Sequence, residues 1–277
     1  MRHVRIYIFL AALLATLLSC QTVPVTERQS LVLVGEQEEL QLGLQAYRKI
    51  LSESKLSSDP VLVEKVRTVG RRIASASHRP DLPWEFNVIE NDDVVNAFCL
   101  PGGKVGVYTG IFKYAATDDE LATVMSHEIA HAIARHGAER MTQMLIVQLG
   151  GIALNVAMRE KGRETLQLAN IAYGVGAGVV FLLPYSRLHE EEADHIGLIY
   201  MARAGYNPEA AISFWKKMAK EKEQKKGIRP PEFLSTHPSD ERRVKNLEKL
   251  LPEAMKIYRM HMQGSTDKGL SYGSIQP

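Results

Sequence analysis

Two histidines and a glutamate stand at a spacing suited to metal chemistry: His127-Glu128-Ile129-Ala130-His131. On a helix, residues four apart share a face, so both imidazoles can reach one ion about 2.0–2.1 Å away. Glu128 then lies about 100° round the axis from His127. It sits beside the ion rather than on it, where it can take a proton from an attacking water as a general base. Such a motif points to a peptidase with one zinc ion per chain. A catalytic zinc needs a third protein ligand and an open fourth position. The candidates lie between Ser186 and Asp194, where Glu190, Glu191 and Glu192 stand in a row. Glu190 and Asp194 are four apart and share a face. One can bind the ion while the other accepts a hydrogen bond from the back nitrogen of a ligating imidazole. A run of three glutamates equally suits a solvated helix face.

The elements around these residues must hold them. Thr117 with Glu120 matches a capping box, so a helix starts there. It is expected to run to about His136 and stop at Gly137. Residues 36–51 read as an amphipathic helix with Leu40, Leu44, Tyr47 and Leu51 on one stripe. Asp59-Pro60 opens a second helix with Val66, Val69 and Ile73 inward. Trp84, Phe86 and Val88 alternate as in a half-buried strand. A second strand, Lys104, Val105, Gly106, Val107 and Tyr108, follows Pro101-Gly102-Gly103 and is expected at a sheet edge. Met144 to Met158 and Ile171 to Leu183 are apolar, short for membrane spans, and expected as buried core helices rather than a spanning hairpin. Ser186 to Ala204 reads as helix ending at Gly205, and Asn207-Pro208 caps the next. Glu221 to Pro231 is a charged loop, and Pro238 opens a last helix through Leu250.

The HExxH motif together with Ser186-Arg187-x-x-Glu190-x-x-Ala193-Asp194 resembles the gluzincin zinc metallopeptidase family of HtpX, the CAAX prenyl proteases and the mitochondrial Oma peptidase. Asn96-Ala97-Phe98-Cys99-Leu100-Pro101-Gly102-Gly103, Leu183-Pro184-Tyr185, and Ser235-Thr236-His237-Pro238 with Arg243 agree with it. The likeness is nearest to the periplasmic Oma-like, BepA-like or LoiP-like lipoprotein peptidases. It implies an α+β fold, mainly a helical zincin, with a small sheet whose edge strand faces the zinc cleft. It implies that His127, His131 and Glu190 bind the metal and that Asp194 supports a ligand from behind. Residues 104–108 would pair with an extended substrate. The activity implied is cleavage of unfolded or misassembled envelope proteins, with polypeptides as substrates. The competing reading is a non-catalytic chaperone or assembly factor on the same scaffold, against which the intact base Glu128 counts. His237 is expected either to donate to the oxyanion or to bind zinc as a fourth ligand that holds the enzyme latent. Arg243 is the other candidate oxyanion helper. Cys99 stands where the family has Ala, as a small apolar residue or as a thiolate that could fill the open metal position. His136, which suits a helix C-terminus, and His189 and His195, expected at the surface, are not expected to be ligands.

Arg2 and Arg5 precede the apolar run Ile6 to Leu18, the layout of a signal peptide. Leu17-Leu18-Ser19-Cys20 resembles a lipobox, which implies cleavage before Cys20 and its acylation. Residues 1–19 are thus expected as a lipoprotein signal peptide, 20–35 as a lipidated tether, 36–261 as the zinc metallopeptidase domain and 262–277 as a disordered tail. The expected place is the periplasmic face of the outer membrane, reached through an N-terminal lipid anchor. Arg2 and Arg5 account for the whole net charge of +2. The remaining chain is neutral, which gives no electrostatic case for nucleic acid.

Overall fold

The computed structural model describes residues 20–224, 231–237 and 241–271. The expected signal peptide, most of the charged loop before Pro231, and the start of the last helix at Pro238 lie outside those residues.

The chain opens with β1 (Cys20–Thr22) and β2 (Gln29–Leu31), an antiparallel pair. The segment expected to be a tether is therefore part of the fold. Val23, Ser30 and Val32 are buried in it. Two helices follow, α1 (Glu36–Ser52) and α2 (Pro60–Ala76). Asp59 caps α2 by accepting from the backbone N–H groups of Val61 and Leu62, with Pro60 at the first turn. Val66, Val69 and Ile73 are fully buried, on the expected face. In α1, Tyr47 is buried, while Leu40, Leu44 and Leu51 are half-buried.

A three-stranded sheet comes next, made of β3 (Glu85–Ile89), β4 (Ala97–Leu100) and β5 (Lys104–Tyr108). Its order is β3-β5-β4, with β3 parallel and β4 antiparallel to β5. The expectation that residues 104–108 form the edge strand is thus corrected. Lys104, Val105, Gly106, Val107 and Tyr108 occupy the centre, and β3 and β4 are the two edges. Pairing explains the exchange. Gly102 and Gly103 both take positive φ, 83° and 71°, which folds β4 back onto β5. β3 then closes the far side of β5 through a long connection that no local signal announces.

The central helix is α3 (Asp118–Ile133), opened by the predicted capping box, in which Thr117 and Glu120 each bond the other's backbone. Leu121 to Ala130 are all buried, so α3 is covered on every side. It ends earlier than Gly137. Arg135 takes the left-handed conformation at φ 58°, and a new helix, α4 (His136–Ala157), begins at once. A non-glycine residue is held there by its own side chain, which donates to Glu39, Gln21 and the Val34 carbonyl.

Next come α5 (Arg163–Gly176), a π-helical stretch at 177–182 and α6 (Leu183–Arg203). The apolar segments in α4 and α5 are not core helices as expected. Met144, Leu149, Ile152, Val156, Ile171 and Val175 are all at least half exposed. No helix among the described residues is long and apolar enough to cross a membrane. α6 ends before Gly205, whose φ is 77°. Helix α7 (Glu209–Gln224) is capped by Asn207, the short α8 (Glu232–Thr236) carries His237 at its end, and α9 (Glu241–Ser271) closes the fold. α9 continues well past Leu250, through part of the tail expected to be disordered. The core lies where α3 packs between α6, α2, α7 and the sheet.

Candidate metal centre

Helix α3 puts His127 and His131 on one face, with their Nε2 atoms 3.1 Å apart. Helix α6 crosses α3 at close range because Gly197 permits it. A Cβ there would stand 3.0 Å from the backbone nitrogen of His127. This approach brings Glu190 and Asp194 onto the two histidines. Glu190 Oε2 lies 3.4 Å from His127 Nε2, and Oε1 lies 3.4 Å from His131 Nε2. A fourth group arrives from the end of α8. His237 Nδ1 stands 3.1 Å from His127 Nε2 and 2.9 Å from Glu190 Oε2. One ligand atom from each of His127, His131, Glu190 and His237 lies within 4.8 Å of all the others.

This donor set fits a cation. Four ligands about 2.0–2.1 Å from a tetrahedral ion stand roughly 3.3 Å from one another; the separations of His127 from the other three, and of Glu190 from His131 and His237, run from 2.9 to 3.4 Å. The imidazole nitrogens also converge on one another, an arrangement that needs a proton or a metal ion between them. The acid–base pattern agrees. Burial and Arg243 oppose a charge on His127, yet hydrogen bonds with Asp194 and Glu190 raise it to about 9. Burial disfavours the Glu190 carboxylate, but His127, His131 and His237 together hold it well below the usual range. Burial pushes His131 well below its ordinary value.

The shell behind these candidate ligands is built from α6, α7, α8 and α9. His127 Nδ1 lies 3.0 Å from Asp194 Oδ1. Arg243 donates to that same oxygen at 2.6 Å and to Glu190 at 3.3 Å, and its guanidinium lies 3.3 Å over the Trp215 ring. Trp215 stacks in turn on Phe233, and Phe233 lies against His237. Arg243 is buried behind the ligands, a place suited to anchoring them rather than to the oxyanion role expected of it. Glu128, beside the cluster, has an Oε1 atom that is buried with no hydrogen-bond partner among the described residues, 3.3 Å from His237 Nε2. Burial raises the Glu128 carboxyl above its ordinary value, against the pull of His237 and His127.

His131, Glu190 and His237 open onto a cavity of about 810 Å³. One wall carries Cys99, Leu100 and Pro101 at the end of β4. The opposite wall carries Met144, Val175 and Val179. The edge strand facing the cleft is therefore β4. Cys99 is not in the ligand group, and burial followed by the nearby Glu128 charge pushes its thiol well above the ordinary value. A thiolate latch does not fit that setting.

His136 and His189 are not expected as ligands and are not in the ligand group, but His189, expected at the surface, is buried beside it together with His136. His136 is 4% exposed, with its Nδ1 2.8 Å from Nδ1 of His131. His189 is buried and stacks on it at 4.3 Å. His195 is half-buried, 3.5 Å from Glu253. Glu192 is not on a solvated face but takes bonds from His136 and Arg28. Only the partial regularity of the segment could have suggested these contacts, since α6 turns Glu190 and Glu192 to different neighbours.

A mainly helical α+β fold with HExxH on a buried central helix, and a further carboxylate from a crossing helix, defines a zincin-type metallopeptidase. Residues 60–251 match the model of Peptidase family M48, and the chain belongs to that family of metallopeptidases. It is 34% identical over 251 residues to the mitochondrial metalloendopeptidase OMA1 of Saccharomyces cerevisiae, covering 85% of this chain and 70% of that one. To the protein of the same name in Schizosaccharomyces pombe it is 37% identical over 240 residues, covering 84% and 66%. To the beta-barrel assembly-enhancing protease of Escherichia coli it is 32% identical over 216 residues, covering 75% of this chain and 42% of that one. The chain thus spans about two thirds of the yeast relatives and less than half of the bacterial one. These relatives correct the expected location. Those of both yeasts, Arabidopsis thaliana and Bos taurus are named as mitochondrial enzymes. Cys20 is itself the first residue of a paired strand.

Proposed function

We propose that the protein is a zinc endopeptidase that cleaves extended segments of unfolded polypeptide. The observation that carries this is the group of His127, His131, Glu190 and His237 with the buried Glu128 carboxylate beside it, its Oε1 3.3 Å from His237 Nε2. His127, His131 and Glu190 would hold a zinc ion there, which would supply Lewis acidity for the scissile carbonyl and for the attacking water. Glu128 takes the water proton and passes it to the leaving amine, and its raised proton affinity suits that exchange. Asp194 fixes the tautomer of His127 from behind, and Arg243 ties Asp194 to Glu190. Among the described residues β4 has a strand partner on one side only, so its other edge can align an extended chain with little regard to sequence. A chaperone on the same scaffold would have no use for a buried carboxylate set beside the candidate ligands. The Glu128→Gln variant tests the reading. It should keep zinc and fold while losing casein digestion, and digestion at the wild-type rate would refute the mechanism.

A second reading concerns restraint of this activity. His237 Nδ1 stands 3.1 Å from His127 Nε2 and 2.9 Å from Glu190 Oε2, where it would take the fourth position that the attacking water needs. This supports a resting state in which His237 closes the site and must withdraw for turnover.

A further inference from the structure

The proposed ligand His131 has a support of a different kind from that of His127, and it leads away from the cavity to the beginning of the chain. His131 turns Nε2 to the other ligands, 3.1 Å from His127 Nε2. Its Nδ1 must then carry the proton. The atom facing it is His136 Nδ1 at 2.8 Å, which must accept. His136 is consequently protonated at Nε2, and that N–H points at Glu192 Oε2, 2.9 Å away. Glu192 is buried and does not stand alone. Arg28 Nη2 donates to its Oε2 at 2.7 Å, Arg28 Nε spans both oxygens, and the Thr26 hydroxyl bonds Oε1. The far side of the Arg28 fork grips Glu139 at 2.9 and 2.7 Å, and Glu139 also takes His189. Thr26 and Arg28 are presented by the turn between β1 and β2. There Val25 and Glu27 both have positive φ, 72° and 56°. Such backbone strain persists where the surroundings over-determine it.

Resting on the zinc reading above, we propose that His136 and Glu192, clamped by Arg28 of the N-terminal turn, are the positioning residues for His131 and that this turn belongs to the metal site. One imidazole is oriented by a carboxylate directly and the other through an intervening imidazole. Outer partners of a ligating histidine fix its tautomer and basicity, and their loss typically weakens metal binding about 10–100-fold.

The test is zinc affinity of the purified full chain, measured by chelator competition alongside circular dichroism. Wild type binding one zinc establishes the site itself, so failure at that step concerns the earlier reading and not this one. His136→Phe keeps the stacking on His189 but breaks the relay and should weaken zinc about 10–100-fold. His136→Gln can accept from His131 with its carbonyl and donate to Glu192 with its amide, and should recover most of that loss. A folded His136→Phe with wild-type affinity overturns the proposal, and so does a His136→Gln no better than His136→Phe. Should His136→Phe not fold, Glu192→Gln and Arg28→Met carry the test. Each should weaken zinc several-fold, and unchanged affinity in both overturns it.

Discussion

Three adjacent carboxylates of α6 have three different fates. Glu190 faces the histidines, Glu191 is half-exposed and pairs with Arg242, and Glu192 is buried against His136 and Arg28. Metal content should therefore separate them. Glu190→Ala removes a candidate ligand and should empty the site. Glu191→Ala should leave metal content at the wild-type level, and a metal-free Glu191→Ala with full occupancy in Glu190→Ala would reassign the ligand. His237 gives the second prediction at this scale. Its nitrogen competes with water for the fourth position, so His237→Ala should raise basal peptidase activity with zinc retained. A transition-state donor would behave in the opposite way, with a loss of roughly a hundredfold or more. A fall of His237→Ala to background with zinc bound would remove latency and leave catalysis. How far these residues were legible follows from their spacing in the chain. His127 and His131 are one helical turn apart, and periodicity alone aligns them. Glu192 meets an arginine 164 positions away, a distance over which no local pattern reaches, so the glutamate looked like one of a solvated run.

At the scale of elements, local chemistry set the boundaries it could reach. The capping box at Thr117, the proline at the start of α2 and the positive-φ glycine after α6 stand where the residues pointed. The end of α3 did not, because Arg135 replaces a glycine as the left-handed residue and is held by groups from the N-terminal segment. The order of the sheet was hidden for a similar reason. β4 does not read as a strand from its own residues, and that β5 lies inside depends on its antiparallel pairing with β4 and its parallel pairing with β3, the latter between residues 19 apart such as Glu85 and Lys104. The contact that assembles the site is one glycine between two helices. Gly197→Val would drive methyl groups into the backbone of Ser126 and His127. Overpacking of this kind costs about 1–3 kcal/mol, and here it also moves Glu190 and Asp194 away from the histidines. The variant should show a lowered urea midpoint and reduced zinc content together. Full zinc content at a lowered midpoint would mean that the site tolerates the shift of α6.

For the whole molecule, the N-terminal turn links three parts of the chain through Arg28: its own hairpin, α4 through Glu139 and α6 through Glu192. Both carboxylates are buried. Burial alone would disfavour their charge, yet the hydrogen bonds from His189 and Arg28 hold Glu139 at about 2, and those from His136, Arg28 and Thr26 hold Glu192 at about 2. Their ordinary value is about 4.3. A folded-state value below the unfolded one contributes stability that is fully present above the unfolded value and is lost as pH falls through the folded one. The window is therefore from about pH 4.5 down to about pH 2. Ligand histidines titrate in the same experiment, so the wild-type curve alone does not isolate the clamp. The comparison with Arg28→Met does. That variant leaves two buried carboxylates without their shared cation, so it should be markedly less stable at pH 7. It has less left to lose on acidification, so the two stability curves should converge between pH 4.5 and pH 2.5. Urea unfolding midpoints of the metal-free proteins at several pH values measure this, with metal removed so that ion release does not enter. Parallel curves, with a constant gap down to pH 2.5, would show that Arg28 contributes packing rather than charge, and that the hairpin is fastened to the helices by something other than its ion pairs.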